Sequence, residues 1–301
     1  MIPPEKRYGK GGPMTELQRL ALRYVAERHA RGEIGQRTAE GLRSKLWDFT
    51  RGTDARPGNV NRRHVEQWLG RRPGLSPAYQ RARLSAVRVF CEWCVIHGHM
   101  RRDPTLGIPA PRIPTYLPRS LPATDVGRVL AQVPDQRGRV IVLLSVQEGL
   151  RRCEVARAEL GDIDLHNETM GVRGKGGHGR VTRTVPLSTQ TVQAIDRYLV
   201  DEGHRAGPLV RNRVRPDRGL TPHTVGDLVA GWMADAGVKQ APGDGRSMHA
   251  LRHSCANHML DEGATLPEVQ QMLGHSSVRN TEVYTRGRVE NLRGAAAGRS
   301  Y

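Results

Sequence analysis

The stretch 103–122, DPTLGIPAPRIPTYLPRSLP, carries Pro104, Pro109, Pro111, Pro114, Pro118 and Pro122. Each proline fixes φ near about −65° and removes a backbone donor, so the run excludes helix and enforces extended chain. A chain of 301 residues is long enough for two compact domains, and this run is where they would part. The expected layout is a flexible segment over 1–13, a helical domain over 14–102, a linker over 103–122, a second domain over 123–288 and a tail over 289–301.

Before the linker, the apolar spacing is helical. Leu17, Leu20, Ala21, Tyr24 and Val25 form one stripe over residues 15–30, opened by Thr15 and Gln18 as a capping box. Leu42, Leu46 and Phe49 mark a second helix, and Asn61 caps a short third one carrying Val65, Trp68 and Leu69. A fourth has Ser76 as its cap, Pro77 in its first turn and Gly98 just past its end, with Leu84, Val87, Cys91, Cys94 and Val95 facing inward.

Beyond the linker, Thr124 starts a short helix and Val140–Gln147 is an apolar helical run ending at Gly149. The pattern then changes. Residues 163–165, 169–173 and 180–186 have the short, β-branched character of a small antiparallel sheet, with the glycines of 174–179 as a hairpin turn. Helices resume after Ser188, at Thr221-Pro222, and over 247–261, 266–273 and 277–286. The expected fold class is mainly α with a small antiparallel β-sheet, α+β.

Lys and Arg total 47 against 30 Asp and Glu, a formal charge of +17, so polyanions are attracted and nucleic acid is the leading partner. Lysine occurs only at positions 6, 10, 45, 175 and 239, so arginine, whose planar fork suits bidentate phosphate contacts, carries the charge. A GC-rich genome would raise the arginine count as well, and the count alone does not decide between the two. Mean hydropathy is −0.56, with no stretch of membrane-spanning length and no apolar leader over 1–13, which leads us to expect a soluble, cytoplasmic protein. Cys91, Cys94, Cys153 and Cys255 are too scattered for a disulfide framework. Zinc at Cys91-x-x-Cys94 with His97 and His99 is set aside, because both cysteines fall on the apolar stripe of a capped helix. The glycines of 174–179 lack the ending of a nucleotide-binding loop.

Four separated motifs remain, and they occur in one order. Gly149-Leu150-Arg151-Arg152-Cys153-Glu154-Val155 comes first, then Gly174-Lys175-Gly176, then His249-Ala250-Leu251-Arg252-His253, and last Leu273-Gly274-His275 followed by Thr281-Glu282-Val283-Tyr284-Thr285. This ordered set resembles the phage-integrase family of tyrosine recombinases, with a Xer-like two-domain layout. The resemblance implies that Arg151 holds the scissile phosphate, Glu154 braces the site, Lys175 is the general acid for the leaving 5′-oxygen and Tyr284 is the nucleophile. It further implies roles for His249, Arg252 and His275 around the same phosphate. Residues 14–102 then correspond to the helical, SAM-like core-binding domain, and 123–288 to the catalytic domain. Partners implied are double-stranded DNA at attachment or core sites, a homo-tetramer on paired sites, docking of the 289–301 tail between protomers, and an accessory directionality factor. No cofactor, metal or membrane is implied, and the short segment before Thr15 suits a small, simple integrase that integrates a phage or mobile element.

The chemistry suits these residue types. Attack on a phosphodiester places extra negative charge on the non-bridging oxygens, and preorganised guanidinium and imidazole donors stabilise it. A phenol with a pKa near about 10 needs a cationic pocket or a base to act as a nucleophile at neutral pH, and His249 is the candidate base. His249 and Arg252, three apart, share a helix face at an N-terminus that itself favours anions. Taken singly, each residue has a plainer reading. Arg151 would be a cation at a helix C-terminus, Lys175 an exposed hairpin residue, His275 a polar helix end, Tyr284 an aromatic anchor like the other six tyrosines, and His253 a structural hydrogen-bonding residue. Their joint order argues against coincidence. The alternatives are a Xer-type chromosome dimer resolvase, a type IB topoisomerase-like strand cutter, and a DNA-binding regulator that keeps the fold without catalysis.

Overall fold

The computed structural model describes residues 13–113, 120–174, 180–241 and 244–274. They form two compact units that part between residues 113 and 120. Tail residues 289–301 and the expected helix at 277–286 lie outside the described residues, as does most of the expected hairpin turn.

In the first unit, α1 (Glu16–Ala30) begins with the expected reciprocal cap: Gln18 N donates to Thr15 Oγ1 at 3.2 Å and Thr15 N to Gln18 Oε1 at 2.9 Å. Next come α2 (Gln36–Arg51), α3 (Arg62–Gly70) behind Asn61, and α4 (Pro77–Ile96), whose cap Ser76 accepts from Tyr79 N at 3.3 Å. Their inward stripes meet in one core containing Leu17, Leu46, Phe49, Trp68, Leu84 and Phe90. Cys91 and Cys94 are buried in it, while His97 and His99 pack on the Trp93 ring at 4.4 and 5.6 Å. Among residues of the proline-rich run, Ile108 is buried against this core and Ala110 packs on it.

In the second unit the helices are α5 (Ala123–Ala131), α6 (Gln136–Val146), α7 (Arg152–Val155), α8 (Thr189–Glu202), α9 (Pro222–Asp235), α10 (Met248–Asp261) and α11 (Leu266–Leu273). Helix α6 is buried along its length and packs against α8 and α10, as expected of a helix apolar on every face. It begins four residues before the apolar run does. Asp135 caps it by accepting from Gly138 N at 2.7 Å, and its polar first turn is buried because Arg137 donates to Arg211 O at 2.9 Å. The sheet is β1 (Ile163–Asp164), β2 (Thr169–Val172) and β3 (Arg183–Pro186), antiparallel in that order, with Met170 opposite both Ile163 and Val185. It is shorter than its β-branched pattern suggests. In β2, Met170 and Val172 face the core, and Val185 does so from β3. Short α7 carried no apolar period of its own and was not anticipated. Among the described residues, no helix is long and apolar enough to cross a membrane.

Candidate active site

Helix α6 ends in a turn in which Leu150 N donates to Leu144 O at 2.9 Å, and Gly149 takes φ +65°. Glycine is required there twice over. A non-glycine residue would be strained at that φ, and its Cβ would lie 2.4 Å from Leu273 Cδ2 and 3.2 Å from Cys255 Sγ. The tight turn delivers Arg151 to the start of α7, not to the end of a helix as its isolated reading suggests.

Glu154, on α7, is the centre of the described site and is only 1% exposed. Its Oε1 accepts from Arg151 Nη1 at 2.8 Å and Arg183 Nη1 at 3.2 Å. Its Oε2 accepts from Arg151 N at 2.9 Å and Arg183 Nη2 at 3.1 Å, with Arg252 Nη1 3.6 Å away. Burial pushes this carboxyl upward, but the hydrogen bonds and charges of Arg183 and Arg151 outweigh it and hold the pKa below the usual carboxylate value. Three guanidiniums thus surround one carboxylate, so among the described residues the cluster is net positive. An excess of buried cation is costly unless an anion completes it.

The three arginines are not equivalent. Arg151 is 33% exposed, so its guanidinium is open to a ligand while Glu154 fixes its orientation. Arg252 is 1% exposed, and its fork is spent on backbone: Nη1 donates to Gly149 O and Nη2 to Leu273 O at 2.6 Å. It ties the end of α6 to the end of α11 from within α10. Arg183, on β3, was not singled out in the sequence; an arginine in a short strand reads as a solvent-facing residue until its partners are seen.

His249 lies in the first turn of α10 behind cap Ser247 and remains exposed. Partial desolvation of the ring beside the cluster, then the charges of Arg252, Arg151 and Arg152, hold its pKa below 6.5. The imidazole is therefore neutral at neutral pH, the form in which it accepts a proton. His253 stands edge-on to it, ring centroids 4.7 Å apart. Arg151, Glu154, His249 and Arg252 are thus gathered in one place. Lys175, His275 and Tyr284 lie outside the described residues, although the hairpin flanking Lys175 is anchored by Gly174 N donating to Thr182 Oγ1 at 3.1 Å and by the bidentate Arg173–Asp162 pair at 2.5 and 2.8 Å.

Glu148 was also missed. It is 1% exposed and holds the start of α8, accepting from Ser188 N at 2.9 Å and Thr191 Oγ1 at 3.2 Å. Burial pushes its pKa up to about 7 against the pull of those two donors.

Comparison with known proteins covers both units. The model of the phage integrase family matches residues 120–291. Tyrosine recombinase XerC 2 of Ralstonia nicotianae is 31% identical over 269 residues, 82% of this chain and 74% of that protein. Tyrosine recombinase XerC of Salmonella typhi is 32% identical over 71% of each chain. Among solved structures, a lambda integrase dimer bound to a COC′ core site superposes with a TM-score of 0.76, covering 90% of this chain and 78% of that one, at 20% identity. At that identity the likeness is one of fold.

Proposed function

Because the chain belongs to the phage integrase family of tyrosine recombinases, and is thereby a site-specific recombinase, we propose that it cleaves and rejoins DNA through a 3′-phosphotyrosine at Tyr284. The observation that carries this reading is the cation-rich cluster around Glu154, formed by motifs that lie a hundred residues apart in the sequence and meet in the half matched by the family model. Among the described residues the cluster sets one carboxylate against three guanidiniums, and a phosphodiester is an anion that would balance it.

In this mechanism Arg151 takes a non-bridging oxygen of the scissile phosphate, held to its orientation by Glu154. Arg252 adds charge from below and locks the two backbone turns that frame the site. The Tyr284 phenol gives its proton to neutral His249 as its oxygen bonds to phosphorus. The bond from phosphorus to the 5′-oxygen breaks, Lys175 supplies that oxygen with a proton, and His275 donates to the phosphate. The new phosphoester conserves the energy of the broken one, so a 5′-hydroxyl from another strand reseals the DNA without ATP. Guanidiniums that are already oriented gain most where charge develops, in the transition state.

The partner is double-stranded DNA bearing attachment or core sites, bound by the helical unit 14–102 and the catalytic unit 123–288 together, in the bacterial cytoplasm. Assembly on paired sites is a homo-tetramer in which the 289–301 tail of one protomer docks on the next, with an accessory factor setting direction. A groove of about 530 Å³ beside α11, lined by Pro186, Met259, Ala264 and Met272 and rimmed by Glu262 and Glu268, offers that weakly amphipathic tail, with its Leu292 and Arg293, both apolar and acidic contacts. Light scattering of the DNA-bound protein truncated after Arg288 checks this, since an intact tetramer would sink the docking.

The central test is a nicked suicide duplex containing the native site. Wild type accumulates a covalent protein–DNA complex through a 3′-phosphate, and Tyr284→Phe accumulates none. Trapping by Tyr284→Phe would overturn the assignment.

A further inference from the structure

We infer that Arg183 is a positioning residue of the strand-transfer site: from β3 it ties the Glu154 carboxylate to the carboxyl end of α11, fixing the brace of Arg151 against the turn from which residues 275 onward depart. The inference rests on the recombinase reading above and adds a residue to its machinery.

The geometry is specific. Arg183 spreads its fork over two elements, Nη1 and Nη2 reaching the two Glu154 oxygens at 3.2 and 3.1 Å while Nε donates to Met272 O at 2.9 Å. The adjoining carbonyl, Leu273 O, is taken by Arg252, so two arginines near the same carboxylate hold successive carbonyls at the end of α11. The next residue, Gly274, has φ +63°, and a Cβ there would lie 2.8 Å from Arg183 Cδ and 3.0 Å from its Nη1. The Leu273-Gly274 turn therefore closes directly over the Arg183 side chain. The backbone of Arg183 is fixed in turn by its pairing opposite Val172.

Two features separate this role from direct phosphate binding. Arg183 is 11% exposed, against 33% for Arg151, and its three nitrogens are all engaged with the protein. Its influence reaches the phosphate through Arg151 and through the chain leaving Gly274. A lysine reproduces it only in part, because an ammonium is a point charge and the task needs a planar fork bridging two acceptors.

The experiment uses the full-length protein on the nicked suicide duplex, with Arg183→Gln, Arg183→Lys, Glu154→Gln and the Arg183→Gln/Glu154→Gln double variant. Arg183→Gln slows covalent-complex formation by about 10- to 100-fold, the scale expected when a reacting group is displaced by about 1 Å. DNA affinity stays within about threefold and its salt dependence keeps the wild-type slope, since no phosphate contact is lost. Arg183→Lys recovers part of the rate. The acid limb of the rate profile moves to higher pH in Arg183→Gln, because Glu154 keeps its burial and loses its main counterweight. The double variant is no slower than Glu154→Gln alone, as befits residues acting as a unit. Wild-type cleavage by Arg183→Gln, additive losses in the double variant, or a salt slope reduced by about one, marking a direct phosphate ligand, would each overturn the inference. Should Arg183→Gln not fold, full wild-type rate in Arg183→Lys overturns it equally. A wild-type protein that forms no covalent complex instead overturns the recombinase reading itself, so the two failures are distinguishable.

Discussion

The two units treat charge in opposite ways. In the first, ion pairs such as Arg23–Glu27 and Arg62–Glu66 are exposed neighbours one helical turn apart, each at 2.7 Å. Its one buried guanidinium among the described residues, Arg83, is closed off by scaffold: it lies 4.2 Å over the Trp68 ring and donates to Asp48, Gln80 and Trp68 O. In the second unit, Glu154, Arg183 and Arg252 are joined across the chain, and the guanidiniums outnumber the carboxylate they share. Asp48 too is shared, but its second guanidinium, Arg72, is 58% exposed and solvated, so only Arg83 needs protein partners, and the Trp68 ring and carbonyl supply them. Around Glu154, two of the three guanidiniums among the described residues, 11% and 1% exposed, are withdrawn from solvent on one carboxylate, a surplus that an anion would balance. Arg83 and Arg252 are equally deep, and the balance of their surroundings tells them apart.

Glu154→Gln is the hardest test of that contrast. It removes the shared counter-charge of three guanidiniums, and breaking a buried pair costs about 3–5 kcal/mol, so a loss of that size is expected in urea unfolding together with covalent-complex formation that is slowed but still measurable. The matching change in the first unit, Asp48→Asn, removes an acceptor from Arg83 and Trp68 and costs about 1–3 kcal/mol, with the cleavage rate of folded, DNA-bound protein unchanged. Equal losses of cleavage in the two variants would erase the distinction.

Glu148 sharpens the comparison through pH. Its pKa is raised in the folded state from 4.5 to about 7, so folding favours the protonated form. The stability it contributes is complete below pH 4.5 and is lost as pH rises through about 7. Denaturant unfolding across that window should show a decline of a few kcal/mol in the wild type, and Glu148→Gln should flatten it. An unchanged slope in Glu148→Gln would place the pH dependence elsewhere. The smallest effect belongs to the exposed Arg62–Glu66 pair, where Glu66→Ala should change stability by less than about 0.5 kcal/mol. A thermal shift as large as that of Asp48→Asn would show that surface pairs in the first unit do more than their exposure suggests.

Much of the fold was readable where a local rule operates. Thr15 with Gln18, Ser76 with Pro77, and Thr221 with Pro222 marked helix starts because a cap is satisfied within three residues of itself. The start of α6 was misplaced because the residues that bury its polar first turn, Arg211 among them, lie far along the chain. The strands were placed but drawn too long, since β-branched residues favour extended backbone without fixing how many rungs a ladder closes. For the candidate site, the order of the motifs singled out Arg151, Glu154, His249 and Arg252, which the fold brings together. Arg183 and Glu148 were not, because a single charged residue in a strand or beside a turn carries no signal of burial.

The sequence by itself determined the family, the helical periods, the caps and the motif residues to which the chemistry is assigned by proposal. All of these are properties of residues and their near neighbours. Only the tertiary structure decided which charges share a carboxylate, that Arg151 opens to solvent while Arg252 is spent on two backbone turns, and that Arg183 stands behind both. The physical reason is that burial and electrostatic balance are set by partners far along the chain, Arg252 on Gly149 above all. No spacing along the chain encodes that contact until the elements have packed.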